Sequence, residues 1–110
     1  MTDSKYEAKL IANKIGPLFK NLRGDRYQIQ IVNDNQAKEY TFFFMRQPKN
    51  GSMLISPIYQ IKEYNLENLE AVLDELNHYY QFTKLYRGFV GELWPSNGNP
   101  IQKNKTSEEL

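Results

Sequence analysis

The single histidine of this chain, His78, follows Asp74 by four residues, which is one turn on a helix. An aspartate so placed could orient an imidazole, as the carboxylate of a hydrolytic triad does. The nucleophile would have to be a serine or threonine, because there is no cysteine, and no nucleophile-elbow glycine pattern presents one. Acyl-transfer chemistry needs a third convergent group that the sequence does not supply, so no catalytic residue is assigned. The absence of cysteine also removes disulfides and zinc–thiolate sites.

Glu63, Glu67, Glu70 and Asp74 share one side of a helix, but they lack the alternating carboxylates of a calcium loop, and a solvated face is the simpler reading. No metal and no cofactor is expected. Phosphate-cradling glycine loops are missing. Gly88-Phe89-Val90-Gly91 has the spacing of a KH-type loop. It carries two bulky apolar residues between the glycines and no helix after them, so a glycine-permitted strand bulge is the better reading.

Binding chemistry is better represented than catalysis. Single-strand nucleic-acid binders stack bases on sheet aromatics and flank them with Lys and Arg. Phe43 with Arg26, Gln28, Lys38, Arg46 and Lys49 could serve in that way. Protein interfaces favour aromatics and methionine, and Phe43, Met45, Tyr79, Tyr86 and Trp94 are the candidates here.

Helices and strands must position these residues. Ser4-Lys5-Tyr6-Glu7 has the form of a capping box with Ser4 as the N-cap. A helix comes next, with an apolar stripe at Ile11, Ile15, Leu18 and Leu22, interrupted at Gly16-Pro17. Alternation predicts strands over 26–32, 38–46 and 52–61, separated by Asn33-Asp34-Asn35-Gln36 and Pro48-Lys49-Asn50-Gly51 turns. Pro57 puts the third strand on an edge or in a bulge. A second helix starts at Asn65 and carries Leu66, Leu69, Leu73, Leu76 and Tyr80 on one face.

The fold class expected is α+β: a helix, a three-stranded antiparallel meander with the second strand in the middle, and a second helix on the same sheet face (αβββα). Residues 84–94 add a C-terminal arm or a fourth strand. Residues 1–94 make one domain and 95–110 a disordered polar tail. The core expected is Ile11, Ile15, Leu18, Tyr27, Ile29, Ile31, Phe42, Phe44, Leu69, Leu73 and Leu76. The helix–strands–helix order resembles double-stranded RNA-binding domains in outline. The resemblance stops there, because the position of their Lys-rich cluster reads Glu63-Tyr64-Asn65-Leu66-Glu67.

With 110 residues, 40% hydrophobic, the chain can bury a core without staples. Aromatics at 14% are abundant, and they supply both burial energy and interface contacts. The net charge of +1 conceals a split: residues 1–62 carry a surplus of five positive charges and residues 63–83 a surplus of five negative ones. A dedicated nucleic-acid binder is more basic. No apolar run approaches the ~20 residues of a transmembrane helix, and Met1-Thr2-Asp3-Ser4 lacks a signal-peptide pattern. A cytoplasmic place is expected. Tyr40-Thr41-Phe42-Phe43-Phe44-Met45 puts bulk on both faces of its strand, and one face therefore needs a partner. The expected function is a non-enzymatic accessory or regulatory protein acting through a protein partner or as a homodimer. The alternative is a single-stranded nucleic-acid binder.

Overall fold

A computed structural model describes residues 3–19, 23–101 and 104–105. The first helix, α1 (Ser4–Ile15), is capped by Asp3, whose side chain accepts from the Lys5 amide at 3.0 Å. This replaces the expected Ser4 cap, since aspartate one residue earlier does the same work. The shift releases Glu7 from capping. Its carboxylate turns inward, 4% exposed, and accepts from the Tyr59 hydroxyl at 2.8 Å and the Asn68 amide at 3.5 Å. The helix stops at Ile15 before Gly16-Pro17, and the Leu18 and Phe19 amides both return to the Ile15 carbonyl at 2.9 Å. Leu22 of the expected stripe lies outside the described residues.

The three predicted strands are present as β1 (Arg26–Asp34), β2 (Glu39–Gln47) and β3 (Leu54–Ile61), paired antiparallel in series. The first turn sits slightly later than expected. Asp34 accepts from the Gln36 and Ala37 amides, and Lys38 takes the left-handed conformation at φ 58°. Pro57 lies on the edge strand, and the pairing slips beside it. Phe42 faces Tyr59 while Phe43 faces Pro57, so Ile58 is bulged out of the ladder.

The sheet extends beyond the meander. The second helix, α2 (Leu66–Leu76), is capped by Asn65, which accepts from the Asn68 amide at 2.7 Å. It carries the chain back across the sheet to β4 (Thr83–Arg87), which pairs parallel with β1. A short β5 (Asn104–Lys105) then pairs antiparallel with β4. The order β3-β2-β1-β4-β5 makes β1 the middle strand and the sheet mixed, where a meander centred on β2 was expected. The crossover explains this. Strands β3 and β1 run the same way, and a helical return over the sheet delivers the next strand in that same direction.

The core lies between the sheet and the two helices. Ile11, Ile15, Ile29, Ile31, Phe42, Phe44, Leu69, Leu73 and Leu76 are buried as expected, joined by Ile58, Ile61, Val72, Tyr86 and Phe89. Leu18 and Tyr27 pack against its margin and are half-buried. The polar tail expected from residue 95 begins instead as a packed hairpin. Leu93 bridges Pro100, the Trp94 amide donates to the Asn99 carbonyl at 2.9 Å, and Ile101 is buried. The later part of that expectation, at 102, 103 and 106–110, lies outside the described residues.

Candidate functional site

Two surfaces are built differently from the rest. The first is the sheet face turned away from the helices. Strand register aligns its side chains in rows across four strands. One row is Thr83, Gln28, Met45, Ile55. The next is Leu85, Gln30, Phe43, Pro57. A third is Arg87, Val32, Thr41, Gln60. The two central rows contain no charged side chain. Among the described residues of β1, β2, β3 and β4, charge on this face is confined to the ends, with Arg26 at one and Arg87, Asp34 and Glu39 at the other.

Both helices and the Trp94 hairpin pack on the opposite face. Glu7 of α1 meets Tyr59, and Trp94 meets the Tyr86 ring at 5.4 Å. Phe43, Val32 and Leu85 are accordingly half-exposed. Met45 is shielded to 7% exposure, lying in a row between Gln28 and Ile55. Toward β3 the face ends at Ile55, 53% exposed, while its neighbour Leu54, paired with Arg46, belongs to the opposite face. The free edge beyond them is interrupted, because Pro57 has no N–H and Ile58 is bulged, which discourages strand addition there. On this side of the molecule the accessible apolar side chains, Phe43 and Ile55, lie on the face rather than along the edge.

The predicted interface residues are divided by this geometry. Phe43 and Met45 are on the open face. Tyr79 is exposed on the loop after α2. Tyr86 is buried on the helix side, and Trp94 packs edge-on against it. The nucleic-acid candidates are also split. Arg26, Gln28 and Phe43 share the open face. Arg46 is ion-paired to Asp25 at 2.8 Å on the other side of its strand. Lys38 lies over the Tyr64 ring, 5.7 Å from its centroid. The Lys49 amide donates to Asp25 at the sheet end.

His78 is exposed beyond α2, with Nδ1 3.7 Å from Glu75 rather than set on Asp74. Gly88 and Gly91 both have positive φ and form the turn leaving β4, not a bulge within it. A Cβ on Gly88 would come within 2.8 Å of the Asn33 carbonyl oxygen. The Asn33 side chain closes this turn by donating to the Gly88 carbonyl at 2.9 Å and to Glu92 at 3.3 Å.

The second surface is a cleft of about 470 Å³ between α2, β4 and the hairpin after β4, with Lys84 and Tyr86 of the strand, Asp74 and Asn77 of the helix, and Trp94 among its walls. Lys84 is the residue that sequence reasoning missed. Its β4 position alternates with Leu85 and pairs with Ile29, so period-two placement puts it on the core side beside Tyr86. It is 7% exposed. Its Nζ donates to Asn77 Oδ1 at 2.7 Å and, more weakly, to the Phe82 carbonyl at 3.5 Å. Burial lowers its pKa, and the negative charge of Asp74 partly offsets this. Burial, with Asp74 adding to it, raises the Tyr86 hydroxyl well above its ordinary value.

Among the described residues, no group of three or more His, Cys, Asp or Glu side chains is arranged to hold a metal ion, and no helix is long and apolar enough to cross a membrane. No protein-family model, curated protein or solved structure matches the chain.

Proposed function

We propose that this chain is a non-enzymatic binding protein, an accessory or regulatory subunit, whose open sheet face docks a protein surface. A second copy of the chain is the first occupant to test. The observation that carries this reading is the pair of central rows around Phe43 and Met45, which are free of charge and rich in apolar and amide side chains. Interface cores are depleted of charge and enriched in aromatics and methionine in the same way. Gln28, Gln30 and the flanking threonines add hydrogen-bonding groups that a partner can satisfy.

Sedimentation velocity over a wide concentration range tests it. The expected result is reversible self-association that Phe43→Glu abolishes while the circular dichroism spectrum is kept. A parent chain that stays monomeric at high concentration removes the second copy as occupant. If Phe43→Glu also leaves capture by every interacting protein unchanged, the face has no binding role.

The alternative is single-stranded nucleic-acid binding by stacking on Phe43. It is supported by Arg26 and Gln28 on the same face and by Arg87 in the third row. It predicts binding to a labelled oligonucleotide that weakens steeply with salt, which an apolar protein interface does not do.

A further inference from the structure

The cleft between α2 and the hairpin after β4 is on the helix side of the sheet, so any role it has is independent of the docking face. Two helices of ~10 Å diameter cover about four strands spaced ~4.8 Å apart. The outer flank of β4 is therefore closed by the hairpin around Trp94 instead of a helix, and the cleft is the seam between the two covers. Its volume of about 470 Å³ falls within the range of small-molecule sites.

Its charges are what set it apart. Lys84 is buried, yet among the described residues the acceptors its ammonium meets are neutral, Asn77 Oδ1 and the Phe82 carbonyl. No carboxylate comes within ion-pair distance of it among the described residues. A buried cation without a counter-ion is costly, and the cost is relieved by an anion brought beside it. Asp74 borders the same space, and its field reaches both Lys84 and Tyr86 without touching either as a hydrogen-bond partner. Glu70, the other acid of the wall, is already engaged by the Ser96 amide and hydroxyl. Among the described residues, the buried Lys84 ammonium and the exposed Asp74 carboxylate thus border a common cavity with an indole at its side.

We infer that this cleft binds a small zwitterion, an α-amino acid, with its carboxylate at Lys84, its ammonium at Asp74 and its side chain along Trp94. An anion alone would be repelled by Asp74, and a cation alone by Lys84. A molecule carrying both charges a few bonds apart satisfies each wall, and charge-assisted contacts are the strong ones. The indole would favour aromatic or long aliphatic side chains.

The test is a nitrogen-15 correlation spectrum of the full chain titrated with free phenylalanine, tryptophan, leucine and glycine, and with their N-acetyl and carboxamide derivatives. The expected result is saturable shifts at residues 70–77, 84–86 and 94–99 for the free amino acids. Blocking either the amine or the carboxyl should weaken binding about tenfold, the worth of one such contact. Lys84→Met and Asp74→Asn should each do the same while preserving the rest of the spectrum. Lys84→Met replaces a buried charge with an apolar chain of like size and is expected to fold. Absence of saturable shifts at millimolar concentration from every free amino acid overturns the inference. So does equal binding of the N-acetyl or the carboxamide derivative, or undiminished binding to Lys84→Met.

Discussion

The same strands build two unlike faces, and the contrast is sharpest at neighbouring residues. Phe42 is fully buried under the helices, while Phe43, one peptide further, is half-exposed on the open face. Along β1, Ile29 and Ile31 enter the core while Gln28 and Gln30 do not. One face has its partner within the chain. The other keeps apolar side chains but sets them among amides and threonines, with charge only at the ends. A face meant only for water would carry lysine and glutamate in those positions. A face meant for this chain's own core would carry no glutamine.

The largest break in that contrast is Phe42→Ala against Phe43→Ala. Removing Phe42 leaves a cavity between α1, α2 and the sheet and should cost about 3–5 kcal/mol, enough to unfold much of the population. Removing Phe43 should cost about 1 kcal/mol or less, since its ring is not enclosed. Urea unfolding of the two variants measures the difference. Equal costs would mean that Phe43 is enclosed in the folded chain and that the open face does not exist as described.

A smaller effect is expected at the turn that leads from β4 to the hairpin. Gly88 and Gly91 have nearly the same backbone, φ +84° and +83°, but a Cβ on Gly88 meets the Asn33 carbonyl whereas one on Gly91 meets nothing within 4 Å. Gly91→Ala should cost about 1–2 kcal/mol for the left-handed conformation alone. Gly88→Ala should exceed it, because the Asn33 anchor must also shift. Thermal unfolding separates the two, with each kilocalorie worth roughly 4–8 °C in a domain of this size.

Much of the contrast is legible before folding. Period-two alternation sorts Ile29 and Ile31 from Gln28 and Gln30, and Pro57 marks the edge, because both depend on local backbone chemistry. What is not legible is long-range. Nothing local says that β4 will pair with β1, 55 residues apart at Ile31 and Tyr86. Without that pairing Lys84 reads as a surface lysine, Tyr86 as an interface aromatic and Trp94 as part of an arm. The cleft is made by the crossover, so it exists only at the level of topology. The cap of α1 is ambiguous for a local reason. Asp3 and Ser4 are both good caps, and the sequence does not show that Glu7 has a buried use with Tyr59.

Alkaline pH distinguishes the faces by a third route. The Tyr59 hydroxyl is pushed up to about 12, first by burial and then by its hydrogen bond to Glu7. Tyr40, on the same face, is also pushed up to about 12, chiefly by burial. A folded pKa above the unfolded value means the folded state holds its proton longer. The stability tied to each group is present below pH 10 and is lost as pH rises from about 10 through 12. Lys84, with its pKa lowered, acts in the opposite sense below its ordinary value, but parent and variant share it. Tyr59→Phe should therefore be less stable at neutral pH, by about 1–3 kcal/mol for a buried carboxylate short of a donor. It should also lose less stability than the parent between pH 10 and 12. Parallel pH curves would mean that the Tyr59–Glu7 bond does not persist in solution.

The smallest expected effect on folding falls on the open face itself. Ile55 ends the first central row, 53% exposed, beside the equally accessible Leu54. Ile55→Lys puts a cation into a row that has none and should change unfolding free energy by about 0.5 kcal/mol or less, because an exposed edge side chain gives up little burial. Its effect on association should be much larger, since a charge brought into a docked apolar row is desolvated without a counter-ion. Gln60→Lys on the same strand, in the row already carrying Arg87, is the matched control and should leave association nearly unchanged. If both variants associate like the parent, any contact the protein makes lies elsewhere, and the uncharged rows reflect only tolerance of a solvated sheet for glutamine and methionine. If Ile55→Lys alone fails to associate while both fold equally well, the two faces differ in function as well as in burial.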